Sequence, residues 1–452
     1  MKQTSDDIIC AISSPPGVGA IALIRLSGKG AIELANELFS KDILNATPYQ
    51  AVYGTIQKEK KPLDEVVLTV FRAPHSFTGE DIIEIACHGS SFIQNELLNL
   101  LVETGARIAE PGEFSKRAFY NGKMDLSQTE AIADLIHAES EGAHRLAMTQ
   151  MKGAFGRELS VLREELIRFA SLVELELDFA EEDVEFADRT ELVALVTRVL
   201  SRVEELKRSF KTGTAIKDGV SVAIVGKPNA GKSSWINALT KDDVAIVSDI
   251  AGTTRDKIEV PIFINGLKFR LIDTAGLRDT DDIIEGIGVQ RAKEVIAKSQ
   301  IVMLLFDLQA YKEAELREAI DDIKVMNSGA EVILLGNKKD LADPEVAIEN
   351  VIKVNAKSSE DCNLVMDLLS KASKLPSINK TDLIVTNARH YEALKEAADA
   401  LQKAKEGLEN KVSGDFVAMD IRQGIHHLGS ITGEITTDNL LGHIFQNFCI
   451  GK

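Results

Sequence analysis

Gly226-Lys-Pro-Asn-Ala-Gly-Lys-Ser233 fits the pattern GxxxxGK(S/T). Glycines at its first and sixth places let the backbone bend tightly around an anion, and N–H groups at the start of the next helix complete the cradle. Lys232 is placed to reach β- and γ-phosphates, and the Ser233 hydroxyl to serve as a magnesium ligand. Ala230, Gly231 and Ser234 flank these positions and belong to the same nucleotide contact. Asp273-Thr-Ala-Gly276 lies downstream. Its acid can hold magnesium through water, and the Gly276 N–H can meet the γ-phosphate and let go after hydrolysis. Asn337-Lys338-Lys339-Asp340 adds base recognition. The Asp340 carboxylate can accept from the ring N1–H and the exocyclic amine of guanine, whereas adenine lacks both and would strand the charge. Sites built on such bonds discriminate by roughly 10⁴-fold. The ligand implied is GTP.

Asn355-Ala356-Lys357 resembles the Ser-Ala-Lys loop with which GTPases touch the base, with Asn in place of Ser. The Ala356 N–H is expected to reach the guanine oxygen, with Lys357 beside it. Leu277 stands where Ras-type GTPases carry a water-orienting Gln, and Leu cannot position water. Asp279, Asp281, Asp282 and Glu285 are the candidate carboxylates for that task, and spacing does not choose among them. Ser248-Asp-Ile-Ala-Gly-Thr-Thr-Arg-Asp256 falls where a switch segment is expected, with Gly252 near the nucleotide. Thr253 or Thr254 would give magnesium its second hydroxyl. Asn229 lies inside the phosphate loop, and an oxygen-lined gap there suits a monovalent cation. Such an ion neutralises developing charge as an arginine finger does elsewhere.

These loops need a frame. Val220–Val225 precedes the phosphate loop, and a helix is expected from about Ser234 to Leu239. The runs 258–264, 269–272, 301–306, 331–335 and 351–354 alternate with helical spacing, with Asn265-Gly266 as a hairpin turn. This predicts a doubly wound α/β domain over 217–377. Residues 1–120 mix strands and helices in an α+β unit. Residues 121–216 and 378–452 have helical periodicity. The simplest organisation is one discontinuous helical domain into which the α/β domain is inserted, rather than two separate helical domains.

Composition narrows the class. The chain has 452 residues, 44% hydrophobic and 27% charged, as a soluble globular protein has. It holds 70 acidic and 52 basic residues, a net charge of −18, which argues against a general nucleic-acid coat. Cys10, Cys87, Cys362 and Cys449 are too dispersed for a CxxC metal site or a disulfide framework. A reducing, cytoplasmic setting is expected. No basic leader or bilayer-length apolar run is seen, and no membrane partner is expected. His88, His426 and His427 lack metal-ligand spacing and read as structural.

The flanks complete the picture. Asp7–Gly28, Ser76-Phe-Thr-Gly-Glu-Asp81, Pro111-Gly-Glu-Phe114 and Phe448-Cys-Ile-Gly-Lys452, with the loops above, resemble the MnmE (TrmE) family of tRNA-modification GTPases across essentially the whole chain. The resemblance implies an N-terminal folate-binding and dimerising domain, and a homodimer that forms a heterotetramer with a flavin-dependent partner (MnmG, GidA). FAD enters only through that partner. Together they place an aminomethyl or carboxymethylaminomethyl group on carbon 5 of the tRNA wobble uridine. It implies GTP hydrolysis stimulated by K⁺ and by pairing of G domains. It assigns the water-positioning acid to Glu285 and Mg²⁺ to Ser233 and Thr254. It assigns K⁺ to Asn229, Ser248, Ile250 and Thr253, and 5-formyltetrahydrofolate or a related tetrahydrofolate to Arg25, Glu84, Lys123 and Lys452. Cys449 suits a redox or one-carbon role, or a small apolar residue packed under the last helix. Two other classes compete: a ribosome-assembly GTPase switch that binds RNA, and a one-carbon folate enzyme with a regulatory G domain. The acidic Glu181-Glu182-Asp183 and the absence of a basic C-terminal domain argue against the first.

Overall fold

The computed structural model describes residues 7–178, 189–241, 259–273, 285–342, 346, 348–375, 383–446, 448 and 450–451. They form two compact units. The first comprises Met1–Ile136, Met148–Val203 and Glu392–Lys452, and the second His137–Ala147 and Glu204–Tyr391.

In chain order the N-terminal part runs β1 (Ile9–Ile12), β2 (Ile21–Ser27), α1 (Ala31–Leu38), β3 (Ala51–Lys58), β4 (Lys61–Phe71), β5 (Ile82–His88), α2 (Ser91–Glu103), β6 (Arg107–Ile108) and α3 (Glu113–Tyr120). Then come α4 (Leu126–Ile136), α5 (Glu141–Met151), α6 (Ala154–Asp178) and α7 (Arg189–Asp218). The α/β part follows as β7 (Val220–Val225), α8 (Lys232–Lys241), β8 (Glu259–Ile264), β9 (Leu267–Asp273), α9 (Glu285–Lys298), β10 (Ile301–Asp307), α10 (Glu313–Met326), β11 (Glu331–Asn337), β12 (Val351–Lys353) and α11 (Ser359–Ala372). The chain closes with α12 (Ala388–Glu409), α13 (Gly414–Thr432) and α14 (Asp438–Gln446).

The first unit contains a six-stranded sheet of order β3-β4-β5-β2-β1-β6, antiparallel except between β1 and β6. Side chains alternate across it. Ala22, Ile24 and Leu26, with Ile83, Ile85 and Cys87, bury against Ile32 of α1 and Leu97 and Leu101 of α2. Burial holds the thiols of Cys10 and Cys87 up at about 11, so both stay protonated. Arg25 and Glu84 point to the other face, directly opposite each other in the β2–β5 register. The strand β3 escapes a periodicity reading because Gly54 interrupts it. A side chain there would meet the Phe39 ring at 2.4 Å, so the glycine seats that ring.

Helix α6 packs along α13 in the same unit, where Leu159, Leu166, Ile421, Leu428 and Ile431 are buried. Arg163 crosses from α6 to donate to the Ile425 carbonyl at 3.3 Å, pairs with Glu434 and lies over Gly429. Leu441 and Phe445 of α14 pack with Phe119 of α3 and Leu126. Leu394, Ala398 and Leu401 share the buried face of α12. Among the described residues no helix is long and apolar enough to cross a membrane.

The second unit is doubly wound, with sheet order β12-β11-β10-β7-β9-β8 and one antiparallel pair, β8–β9. Both faces are covered, which explains continuous apolar runs such as β10. Asn265 and Gly266 have φ of 52° and 76°, as a two-residue hairpin turn of the I′ kind requires. The Gly142 N–H donates to the Gly266 carbonyl at 2.9 Å, and Lys268 pairs with Glu139, so segment 137–147 clasps the hairpin. Helix α8 starts at Lys232, two residues before its expected start. The helix Glu113–Tyr120 and the short strand Arg107–Ile108 were not marked by periodicity.

Trp235 is wholly buried in the α/β core, and its Nε1 has no hydrogen-bond partner among the described residues. Trp235→Ala should cost about 3–5 kcal/mol of that unit's stability. Trp235→Phe, which removes no hydrogen bond, should cost much less. Urea unfolding followed by circular dichroism checks the order; equal losses would contradict it.

Candidate functional site

The phosphate loop is shaped by its backbone. Gly226, Asn229 and Gly231 have φ of 157°, 64° and 97°. A Cβ on Gly226 would lie 2.2 Å from the Leu305 carbonyl, and one on Gly231 would lie 2.2 Å from Asn337 Nδ2. Only glycine fits at either place. Lys232 is buried, and its Nζ donates to the carbonyls of Gly226 and Lys227 at 2.8 and 2.9 Å. Ser233 and Ser234 are exposed at the opening of α8, and Asn229 is exposed on the loop crest. Asp273 ends β9, half-buried and level with Ile224 of β7, next to the loop's start.

The base end is a cavity of about 640 Å3 lined by Gly231, Ser234, Asn337, Asp340, Ala356 and Lys357 among others. It unites three of the sequence-marked loops. Asn337 Nδ2 donates to the Ala230 carbonyl at 2.8 Å and so ties the N-K-K-D loop to the phosphate loop. Lys338, at φ 66°, pairs with Asp307 at 2.6 Å. Burial raises the Asp307 carboxyl and the Lys338 bond lowers it, with a net depression. Asp340 is exposed at the cavity mouth, and Asn355 Oδ1 accepts from the Lys357 N–H at 3.0 Å. The Asn therefore closes this turn itself. Asn237, Leu341 and Cys362 also line the cavity. They belong to no motif, and only the fold reveals them.

Ser248, Ile250, Gly252, Thr253, Thr254, Asp279, Asp281, Asp282, Gly276, Leu277, Cys449 and Lys452 lie outside the described residues. Glu285 is the first residue of α9, and its side chain lies outside them too.

The second site is on the face of the N-terminal sheet away from α1 and α2, where Ile9 and Ala11 are buried with Phe114. Arg25 donates from Nε and Nη2 to Glu84 Oε1 at 2.9 and 2.7 Å, and no described residue bonds Oε2. The Arg25 guanidinium lies 5.6 Å from the Phe77 ring centroid and 5.7 Å from that of Phe114. Its Nη1 donates to the Gly451 carbonyl at 3.4 Å, and Ser13 Oγ donates to the same oxygen at 3.0 Å. Gly451 has φ of 94°, and a Cβ there would meet the Ile12 carbonyl at 2.4 Å. Gly451, the glycine of the Cys-Ile-Gly-Lys segment, is thus held beside Arg25. Lys123 is exposed and donates to the Pro74 carbonyl at 2.8 Å. Phe77 and Phe114 lie within the two segments quoted for the resemblance, but nothing in their spacing marks them as a site. The Glu84 carboxylate thus keeps one oxygen without a described partner, beside a guanidinium that lies over two aromatic rings. His88 and His427 bond Asp64 and Glu396 at 2.7 and 2.9 Å, as structural histidines do.

A charge network supports this face. Arg117 Nη2 reaches Asp7 at 2.7 Å and Glu113 at 3.2 Å, and Arg107 grips Glu113 at 2.6 and 3.0 Å. The Glu110 N–H donates to Glu113 at 2.8 Å. Burial pushes the Glu113 carboxyl up, but the Arg107 bond, the Glu110 N–H and both guanidinium charges hold it below the ordinary range.

Family models match over most of the chain. Residues 8–123 match the GTP-binding protein TrmE N-terminus, and residues 126–449 match the MnmE helical domain. The chain belongs to the MnmE (TrmE) family of tRNA-modification GTPases. The tRNA modification GTPase MnmE of Cytophaga hutchinsonii is 47% identical, covering 99% of this chain and 98% of that one. That of Parabacteroides distasonis is 48% identical over 98% of this chain and 99% of its own. The G domain of the T. maritima FeoB iron transporter aligns with 34% of this chain and 99% of its own at 24% identity, with a TM-score of 0.27, too loose a match to bear on the fold. Membership in the MnmE family makes this chain a GTP hydrolase, with the α+β, helical and P-loop parts described above.

A carboxyl depressed in the folded state binds protons more weakly than in the unfolded chain. Its stabilisation is complete above the ordinary value of 4.5 and is lost as pH falls through the lower folded value. Amide protection factors of the N-terminal sheet in the full chain, which divide out the intrinsic pH dependence of exchange, should therefore fall below about pH 4.5. Glu113→Gln should remove much of that pH dependence; an unchanged profile would show that Glu113 does not carry it.

Proposed function

We propose that the nucleotide unit performs GTP hydrolysis with the phosphate loop, Asp273, the N-K-K-D loop and the Asn355–Lys357 loop as its contacts. The observation that carries this reading is the single cavity bounded by Gly231, Asn337, Asp340 and Ala356, with the Asn337–Ala230 bond at its floor. Asp340 selects guanine, the Ala356 N–H reads its oxygen, and Lys338 walls the pocket. Lys232 exchanges its two carbonyl partners for phosphate oxygens. Gly276, Gly252 and Ser234 complete the contact. Glu285 orients the attacking water.

The activity is a potassium-stimulated GTPase that, with a flavin-dependent partner, serves wobble-uridine modification in tRNA through folate chemistry. Mg²⁺ and K⁺ supply charge neutralisation at the phosphates; Ser233 and Thr254 would hold the first, and Asn229, Ser248, Ile250 and Thr253 the second. A tetrahydrofolate supplies the one-carbon unit, and Arg25, Glu84, Lys123 and Lys452 would bind it, Glu84 at the pterin and the cations at its glutamate tail. Cys449 lies three positions before Lys452 in sequence and is proposed to act there. We further propose segments 1–120, 121–216, 217–377 and 378–452 as folate-binding, helical, G and second helical parts. The proposed assembly is a cytoplasmic homodimer that forms a heterotetramer with MnmG/GidA and engages tRNA.

Replacing Na⁺ by K⁺ should raise GTP turnover several-fold, and equal rates would refute the cation site. Glu285→Ala should slow kcat while leaving nucleotide affinity nearly intact. A large loss of binding would show that Glu285 has a structural role instead.

A further inference from the structure

We propose that Asp361 is a positioning residue for guanine recognition, holding the loop that reads the base oxygen against the loop that reads the base edge. The proposal rests on the GTP reading above and deepens it. Asp361 is third in α11, whose N-cap is Ser358, and Ser358 Oγ accepts from the Asp361 N–H at 3.3 Å. An acid at that place ordinarily turns back to the N–H of the cap residue, a purely helical role. Here the Ser358 N–H is taken by the Asn355 carbonyl at 2.9 Å. The Asp361 carboxylate goes elsewhere. Its Oδ2 accepts from the Asn355 N–H at 2.8 Å, and its Oδ1 from Lys339 Nζ at 2.5 Å.

These partners belong to the two base-reading loops. Asn355 immediately precedes Ala356, whose N–H is assigned to the guanine oxygen, and Lys339 immediately precedes Asp340. The Asp361 side chain is 7% exposed, and a buried acid with one specific donor on each oxygen allows little freedom to either donor. The Lys339 N–H also donates to the Val354 carbonyl at 3.2 Å, so backbone and side chain join the loops twice. Removing the carboxylate takes away the side-chain tether between the Asn355–Lys357 turn and Lys339 and leaves only the Lys339–Val354 backbone bond. The Asp340 side of the base contact, anchored separately through Asn337 and Lys338, stays in place.

The consequence is specific to one edge of the base. A guanine nucleotide with sulfur in place of the ring oxygen keeps its N1–H and amine for Asp340 but offers only a weak acceptor to Ala356. In the full chain, fluorescent GDP is displaced by GDP or by 6-thio-GDP, with nucleotide-free melting temperature as the fold control. The wild-type chain should prefer GDP. Asp361→Ala should weaken GDP roughly tenfold, leave 6-thio-GDP nearly unchanged, and raise KM for GTP with kcat held within about twofold. Asp361→Asn, which keeps an acceptor for the Asn355 N–H, should recover most of the preference. Lys339→Met should shift it in the same direction as the alanine variant, by less. Equal weakening of both nucleotides, or no change in their ratio across these variants, would overturn the proposal. A wild-type chain that fails to bind GDP would instead overturn the GTP reading beneath it.

Discussion

Asn337 and Ala230 are 107 residues apart in sequence, yet one buried hydrogen bond joins them. That bond sets the spacing between the part of the molecule that can grip phosphates and the part that can read a base. A nucleotide is a rigid object with charge at one end and a hydrogen-bonding edge at the other. Its protein must hold two loops at a matching separation before it arrives. The neighbouring details serve the same end. Gly231 lacks a side chain because Asn337 needs its place, and Gly226 lacks one because the Leu305 carbonyl is so close. The parallel strands β7, β10 and β11 end side by side, and so deliver these loops to one edge of the sheet.

The N-terminal face follows another logic. Its alternating strands bury one set of side chains beneath α1 and α2 and put Arg25 and Glu84 on the opposite side. Arg25 and Glu84 meet there by register alone. Guanidinium, rings and the Gly451 carbonyl then gather around them. The ion pairs among Arg107, Arg117, Asp7 and Glu113, of which only Arg117–Glu113 is buried on both sides, join α3 to the segment before β1.

Much of the α/β part was legible from residues because its strands are continuous apolar runs closed by loops with distinctive chemistry. β7 matched its expected limits, and β10 and β11 each ran slightly longer. The hairpin turn was equally plain, since Asn-Gly satisfies a backbone demand that few pairs meet. The N-terminal part was harder. Gly54 broke the pattern of β3 for a packing reason that only Phe39 explains. Arg25 looks like an ordinary charge until the antiparallel register sets Glu84 beside it. Gly451 and Arg25 are 426 residues apart, a proximity that spacing cannot express. Asp361 would pass for a helix-capping acid, because its partners are chosen by the fold.

The ammonium of Lys232 satisfies two loop carbonyls with its own charge. When product departs, that side chain can swing back and leave no oxygen stranded in a dry crevice. Recovery of the loop is then a matter of a single rotamer rather than of refolding.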